Sequence, residues 1–190
     1  MKFTRTNLPD VILCEPFVRG DDRGYFMETF RQDELEAFLG NKLYFCQDNE
    51  SKSSFGVLRG LHYQLAPYAQ SKLVRVSKGE VLDVAVDIRR GSPTFGQHAT
   101  RILSEENKKQ LFVPKGFAHG FVVLSDVAVL SYKVDNYYSP ECDRGIAYDD
   151  PNLAIDWRLP KDLLQLSQKD TKQPLLEEAD CFEFEMKLYA

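Results

Sequence analysis

The sequence predicts an all-β protein, an antiparallel sandwich or barrel in a single domain over residues 1–190 with a few short peripheral helices. Three observations support this reading. Between Ser71 and Ile88 the run KLVRVSKGEVLDVAVDI is rich in β-branched residues and is broken at Lys78-Gly79, which reads as two strands around a tight turn. Between Gln110 and Asp135 the form recurs, with LFVP, GFVVL and AVLSYKVD separated by Pro114-Lys115-Gly116 and Ser125-Asp126. Helical signals are few: QDELEAFL at Gln32 to Leu39 is the clearest, and a second short helix is expected from Leu159 to Leu166, after Pro160.

No low-complexity linker, repeat or shift in composition divides the chain, and 190 residues are too few for a nucleotide domain beside a separate substrate domain. A formal charge of -5 and a pI of about 5.3 argue against a nucleic-acid partner, because neutralising phosphates requires a basic face. The expected partner is a small molecule. Cys14, Cys46, Cys142 and Cys181 show no CxxC spacing, so neither a zinc site nor a dithiol redox motif is signalled, and reduced thiols are expected. Without an apolar leader or a membrane-length apolar run, the chain reads as soluble and cytoplasmic.

Three histidines limit the choices for a general base or a metal site: His62 in LRGLHYQ, His98 in FGQHA and His119 in VPKGFAHGF. The last fits Pro-x-Gly-x-x-His, the second motif of cupins, in which Pro114 and Gly116 shape a turn and the following strand points His119 inward. Metal-binding cupins add a first motif of His-x-His followed by a carboxylate, and here that place reads His62-Tyr63-Gln64. With the second imidazole and its carboxylate missing, no metal is expected and acid–base chemistry is the alternative. A hydrogen-bonded core role for His119 is the plainer reading.

Six blocks in order, FVRGDDRGYFMETF (17–30), FCQDNESKSSFGVLRGLHYQ (45–64), QSKLVRVSKGEVLDVAVDIRRGSPTFG (70–96), LFVPKGFAHGFVVL (111–124), SYKVDNYYSPECDRGIAYDDP (131–151) and LSQKD (166–170), cover nearly the whole chain. Together they resemble the dTDP-4-dehydrorhamnose 3,5-epimerase family. The resemblance implies a cupin jelly-roll β-barrel, a homodimer, no cofactor and a nucleotide-sugar substrate with a ketone at C4. In that family the C3 and C5 centres are inverted by removing a proton from one face and returning one to the other.

By this resemblance His62 is the base, Asp170 fixes its tautomer, Lys72 stabilises the enolate and Tyr132 is the acid opposite the base. On their own residues these would read otherwise: Lys72 as a solvated strand lysine, Tyr132 as core, Asp170 as a surface or capping residue. Arg23, Arg59 and Lys169 are the cations for diphosphate and sugar. Gln47 and Asn49 would bond the nucleotide, and Tyr137 or Tyr138 would stack on its base. Arg23, Phe26 and Glu28 would complete the site of the other protomer. Strict alternation puts Arg59 and His62 on opposite faces, and Gly60 between them permits a bulge that turns both inward.

Asp143 stands where relatives more often have Glu at a ligand-contacting position, which shortens the reach by a methylene. The acidic, aromatic tail EEADCFEFEMKLYA, Glu177 to Ala190, matches no functional motif and reads as a strand or an interface. The rival readings are a single-centre C3- or C5-epimerase, an enzyme for another nucleotide sugar, a non-catalytic cupin that binds one, and a metal-dependent cupin oxygenase or sugar isomerase.

Overall fold

The computed structural model describes residues 1–189; Ala190, the end of the tail noted above, lies outside the described residues. The first strands are β1 (Lys2–Arg5), β2 (Ile12–Glu15), β3 (Val18–Asp21), β4 (Gly24–Met27), β5 (Gln47–Ser54), β6 (Leu58–Gln64) and β7 (Lys72–Lys78). They are followed by β8 (Glu80–Asp87), β9 (Arg89–Arg90), β10 (His98–Ser104), β11 (Gln110–Val113), β12 (Phe117–Val123), β13 (Val127–Val134), β14 (Asp143–Gly145) and β15 (Phe182–Glu183). One α-helix, α1 (Gln32–Leu39), and two 3-10 turns, Lys161–Leu163 and Asp170–Lys172, complete the regular structure among the described residues. Among the described residues no helix is long and apolar enough to cross a membrane.

Two antiparallel sheets face one another, as in a jelly roll. One runs β1-β2-β11-β7-β13-β5 and the other β10-β8-β12-β6-β14. Their inward residues, among them Val74, Val81, Ala85, Leu111, Phe121 and Leu130, form the inner core. Strand β8 is buried along almost its whole length because both its faces are covered: Val81 and Ala85 look inward, and Leu82, Val84 and Val86 pack outward beneath Trp157, Leu176 and Phe182. That double burial explains a nearly unbroken apolar run where a half-exposed strand would alternate. A third cluster covers the outer face of the six-stranded sheet, where Leu35 of α1 meets Ile12, Leu73 and Phe112.

The strands expected on either side of Lys78-Gly79 are present, but they do not pair with each other: β7 belongs to one sheet and β8 to the other. The turn between them passes from sheet to sheet, with Gly79 at φ 76° and no room for a Cβ, which would lie 2.1 Å from the Val127 carbonyl oxygen. The helix expected at Leu159 to Leu166 is corrected to a single 3-10 turn, Lys161–Leu163. Beyond it the backbone of Gln165 bonds instead to neighbouring extended chain, its N–H donating to the Gly56 carbonyl (2.8 Å) and its carbonyl accepting from Leu58 N–H (2.9 Å). Those partners hold the segment extended and bring it to the mouth between the sheets.

The bulge expected at Gly60 is present. His62 opposes His119 and Arg59 opposes Phe121, so three steps along β6 match two along β12. The extra residue is Gly60, at φ 134°, where a Cβ would stand 2.5 Å from the Gly120 Cα. His62 and Arg59 thereby share the inner face. Gly60→Ala is expected to destabilise the protein by at least about 2 kcal/mol, from the combined positive φ and backbone clash. The measurement is the urea denaturation midpoint, and an unchanged midpoint would contradict the tight crossing.

Candidate active site

Between the sheets lies a cavity of about 490 Å³, lined by Arg59, His62, Lys72, His119, Tyr132 and Asp170 together with Ser51, Phe121, Leu130 and the 165–167 segment. Six of its polar side chains come from strands, Ser51 on β5 among them. Arg59 and His62 lie on β6 and His119 on β12, in the five-stranded sheet, whereas Lys72 on β7 and Tyr132 on β13 belong to the facing one. Imidazoles and phenol therefore approach the cavity from opposite walls.

His62 Nε2 lies 2.5 Å from Asp170 Oδ1. The other carboxylate oxygen, Oδ2, accepts from Ser167 Oγ (2.8 Å), and Ser167 Oγ in turn accepts from the Asp170 N–H (3.1 Å). Burial alone would raise the Asp170 carboxyl. The bonds from His62 and Ser167, with Lys169 nearby, outweigh that burial and hold it below the ordinary carboxylate value. An ionised acceptor requires a proton on Nε2, so the lone pair sits on Nδ1, the ring nitrogen turned away from Asp170.

The cross-strand neighbour of His62 has its own carboxylate. His119 Nε2 lies 3.0 Å from both oxygens of Asp83, which is fully buried on β8. Lys72 reaches into the same region, its Nζ donating to the His62 carbonyl at 3.4 Å. Burial presses the ammonium down to about 8, and the charges of Asp83 and Asp143 only partly offset it. Tyr132 is shifted the other way: burial raises its phenol, with Arg59 opposing, so it keeps its proton through the neutral range. The Arg59 guanidinium is steadied by Ser53, its Nε donating to Oγ at 3.1 Å.

Other expected residues gather at the rim. Asp143 Oδ2 accepts from Tyr138 OH (2.9 Å) and pairs with the Lys169 ammonium, joining the segment after β13 to the turn that holds Asp170. Asn49 is the cross-strand partner of Tyr132, and Gln47 donates to its Oδ1 at 2.7 Å. Alternation puts both on the same face of β5 as Ser51 in the cavity wall. Arg23, Phe26 and Glu28 are not brought to this cavity. They lie on or just after the exposed β3–β4 hairpin, where Arg23 pairs with Asp21 at 2.6 Å and Phe26 is 68% exposed.

Sequence reasoning missed Asp83 and Ser167. Asp83 was detectable as a carboxylate whose alternation with Val81 and Ala85 places it on the inner face of a buried strand. Ser167 stands three residues before Asp170, the spacing of a local side-chain turn. Among the described residues, no three His, Cys, Asp or Glu side chains are arranged to hold a metal ion.

A family model described as dTDP-4-dehydrorhamnose 3,5-epimerase matches residues 5–178. The dTDP-4-dehydrorhamnose 3,5-epimerase of Pseudomonas aeruginosa is 55% identical over 182 residues, 96% of this chain and 99% of the relative. Among solved structures, an epimerase from Legionella pneumophila in complex with dTDP-4-keto-L-rhamnose superposes with a TM-score of 0.93 at 49% identity, over 97% of this chain and 99% of that one. A 3'-monoepimerase from Streptomyces bikiniensis in complex with dTDP-quinovose is more distant, with a TM-score of 0.84 and 32% identity over 90% and 86% of the two chains.

In an NMR titration of lysine side-chain nitrogens, one Nζ is expected to titrate at about 8 and to be missing in Lys72→Met. Asp83→Asn should move that midpoint lower, because the carboxylate raises it; a midpoint that stays or rises would contradict the placement of Asp83 beside Lys72.

Proposed function

The chain belongs to the dTDP-4-dehydrorhamnose 3,5-epimerase family, and from that premise we propose how its residues invert two centres of one sugar. It is an isomerase acting on a nucleotide-linked 4-keto-6-deoxyhexose, dTDP-4-dehydro-6-deoxy-D-glucose, to give dTDP-4-dehydro-L-rhamnose. The observation that supports the mechanism best is the division of labour between the walls: an imidazole backed by a carboxylate on one sheet, a protonated phenol on the other, and a cation within the same cavity.

A hydrogen at C3 or C5 is acidic only because the electron pair left behind delocalises onto the C4 oxygen. The His62 nitrogen turned away from Asp170 takes that proton, and Asp170 stabilises the imidazolium that forms. The Lys72 ammonium stabilises the negative charge gathering on the C4 oxygen, where a buried cation is worth far more than in water. Tyr132 donates its proton to the opposite face of the same carbon, inverting it, and the phenolate then regains a proton from solvent as His62 releases its own. Its raised pKa makes that recovery favourable. His119 with Asp83 supplies a second donor near the sugar oxygens. Arg59 and Lys169 serve the sugar and diphosphate, Gln47 and Asn49 the nucleotide, and Tyr138 with Asp143 closes the rim over them. No cofactor enters any step.

The working unit is a homodimer in this reading, in which Arg23, Phe26 and Glu28 of each protomer complete the site of its partner. The hairpin supports it by exposing Phe17, Val18, Tyr25 and Phe26. The reaction is placed in the cytoplasm, in keeping with four cysteines that follow no disulfide pattern.

In D₂O with dTDP-4-keto-6-deoxy-glucose, deuterium is expected at C3 and C5 by NMR, and His62→Ala should abolish exchange at both. Tyr132→Phe should retain substrate binding but lose inversion. Exchange at one carbon only would identify a single-centre enzyme, like the monoepimerase to which the chain is similar. Because Lys72 acts protonated, kcat/KM should fall as pH rises through about 8, and in Lys72→Arg that alkaline limb should move out of range. An alkaline limb unmoved in Lys72→Arg would remove the lysine from its role. For the dimer, mixing inactive His62→Ala with inactive Arg23→Ala should regain about a quarter of wild-type activity, since half of the protomer pairs are then mixed and each holds one intact site. No recovery after subunit exchange would exclude a shared site.

A further inference from the structure

The tail beyond Glu177 lies almost entirely outside the residues that the family model matches, yet it is firmly seated. Leu176, Ala179 and Phe182 are buried in the outer core, and β15 pairs in parallel with β9. The Arg89 guanidinium lies over the rings of Phe117 (4.5 Å) and Phe184 (5.2 Å) and forms ion pairs with Asp10 and Asp87. These contacts carry the chain end to Tyr189, beside the ends of the strands that bear Lys72 and Tyr132.

Tyr189 OH lies 2.8 Å from Ser71 Oγ and accepts from the Lys115 N–H at 3.0 Å. The Ser71 N–H donates to Asp135 Oδ1 (2.6 Å), and Lys115 Nζ pairs with Asp135 Oδ2 (3.3 Å) while lying 5.1 Å from the centre of the Tyr189 ring. The four residues close a ring. Three of them flank strand ends: Ser71 immediately precedes Lys72, Asp135 follows Val134, and Lys115 stands two beyond Val113. In the sheet, Lys72 is the cross-strand partner of both Val113 and Val134.

We propose that Tyr189 is a positioning residue for the epimerase: through Ser71 it locks the aligned ends of β7, β11 and β13, and so fixes where Lys72 and, two residues before Val134, Tyr132 stand in the cavity. Ser71 is fully buried, so loss of the Tyr189 hydroxyl leaves its own hydroxyl short of a partner and water cannot readily replace it. A shift of about 1 Å in a group that must meet a developing charge is enough to lower turnover without weakening the remote grip on a nucleotide.

The kinetic part rests on the epimerase reading, so deuterium exchange at C3 and C5 by the wild-type protein is measured first, and its absence would count against that reading alone. Given exchange, Tyr189→Phe should lower kcat about tenfold with KM unchanged, together with a fall of a few degrees in melting temperature from the unpartnered Ser71 hydroxyl. Ser71→Ala should do the same, and the double variant should lose no more than either alone. An unchanged kcat, a loss shared with KM, or losses that multiply would overturn the proposal. Independently of any substrate, the Lys72 Nζ resonance should shift in Tyr189→Phe, and an unmoved resonance would overturn it as well.

Discussion

The arrangement inside the cavity depends on the close approach of β6 and β12 at Gly60 and Gly120. A side chain at either position would meet the opposite backbone, at 2.5 Å for Gly60 and 2.9 Å for Gly120. Because neither has one, the strands can sit close enough for β6 to absorb an extra residue without parting from its neighbour. The bulge changes the parity of β6, and parity decides which side chains face the interior. With regular pairing, either His62 or Arg59 would point into the outer core among Leu58, Leu61 and Val122. Two side chains three residues apart on β6 could not then line one cavity.

Given that geometry, charge balance does the remaining tuning. The cavity holds two imidazole–carboxylate pairs and one half-buried lysine, and the two pairs have different surroundings. Asp83 is sealed on β8, whereas Asp170 sits on a short turn and is held ionised by Ser167 and His62. His62 is the more open of the two, with 31% of its side chain exposed against 8% for His119. A base must reach a substrate carbon and afterwards lose its proton to water, so the exposed imidazole suits the base and the enclosed one a fixed donor. Lys72, near enough to Asp83 to feel its charge but pressed down by burial, is a cation close to neutrality, ready to gain from a nearby oxyanion.

Much of this was legible in the sequence where local pattern suffices. The runs rich in β-branched residues marked β7, β8 and β13, the Gln32 to Leu39 segment marked α1, and Gly60 announced a change of parity between Arg59 and His62. Partnership was not legible. The Lys78-Gly79 turn looks like a hairpin turn, and only the packing of two sheets shows that it leads from one to the other. Asp170, 108 residues from His62, carries no local sign of its role, and the apolar spacing of Leu159 to Leu166 is as compatible with a helix as with the extended segment that Gly56 and Leu58 hold in place. Six blocks taken together supplied what no single periodicity could.

In the mechanism proposed above, one base and one acid serve two carbons. C3 and C5 flank the carbonyl at C4, so the two enolates place their negative charge on the same oxygen and a single cation suffices for both. This arrangement asks for a rigid wall on each side and a cation that does not drift between cycles. Lys72 is seated for that: it pairs in register with two strands, and the polar ring of Ser71, Lys115, Asp135 and Tyr189 lies directly behind it.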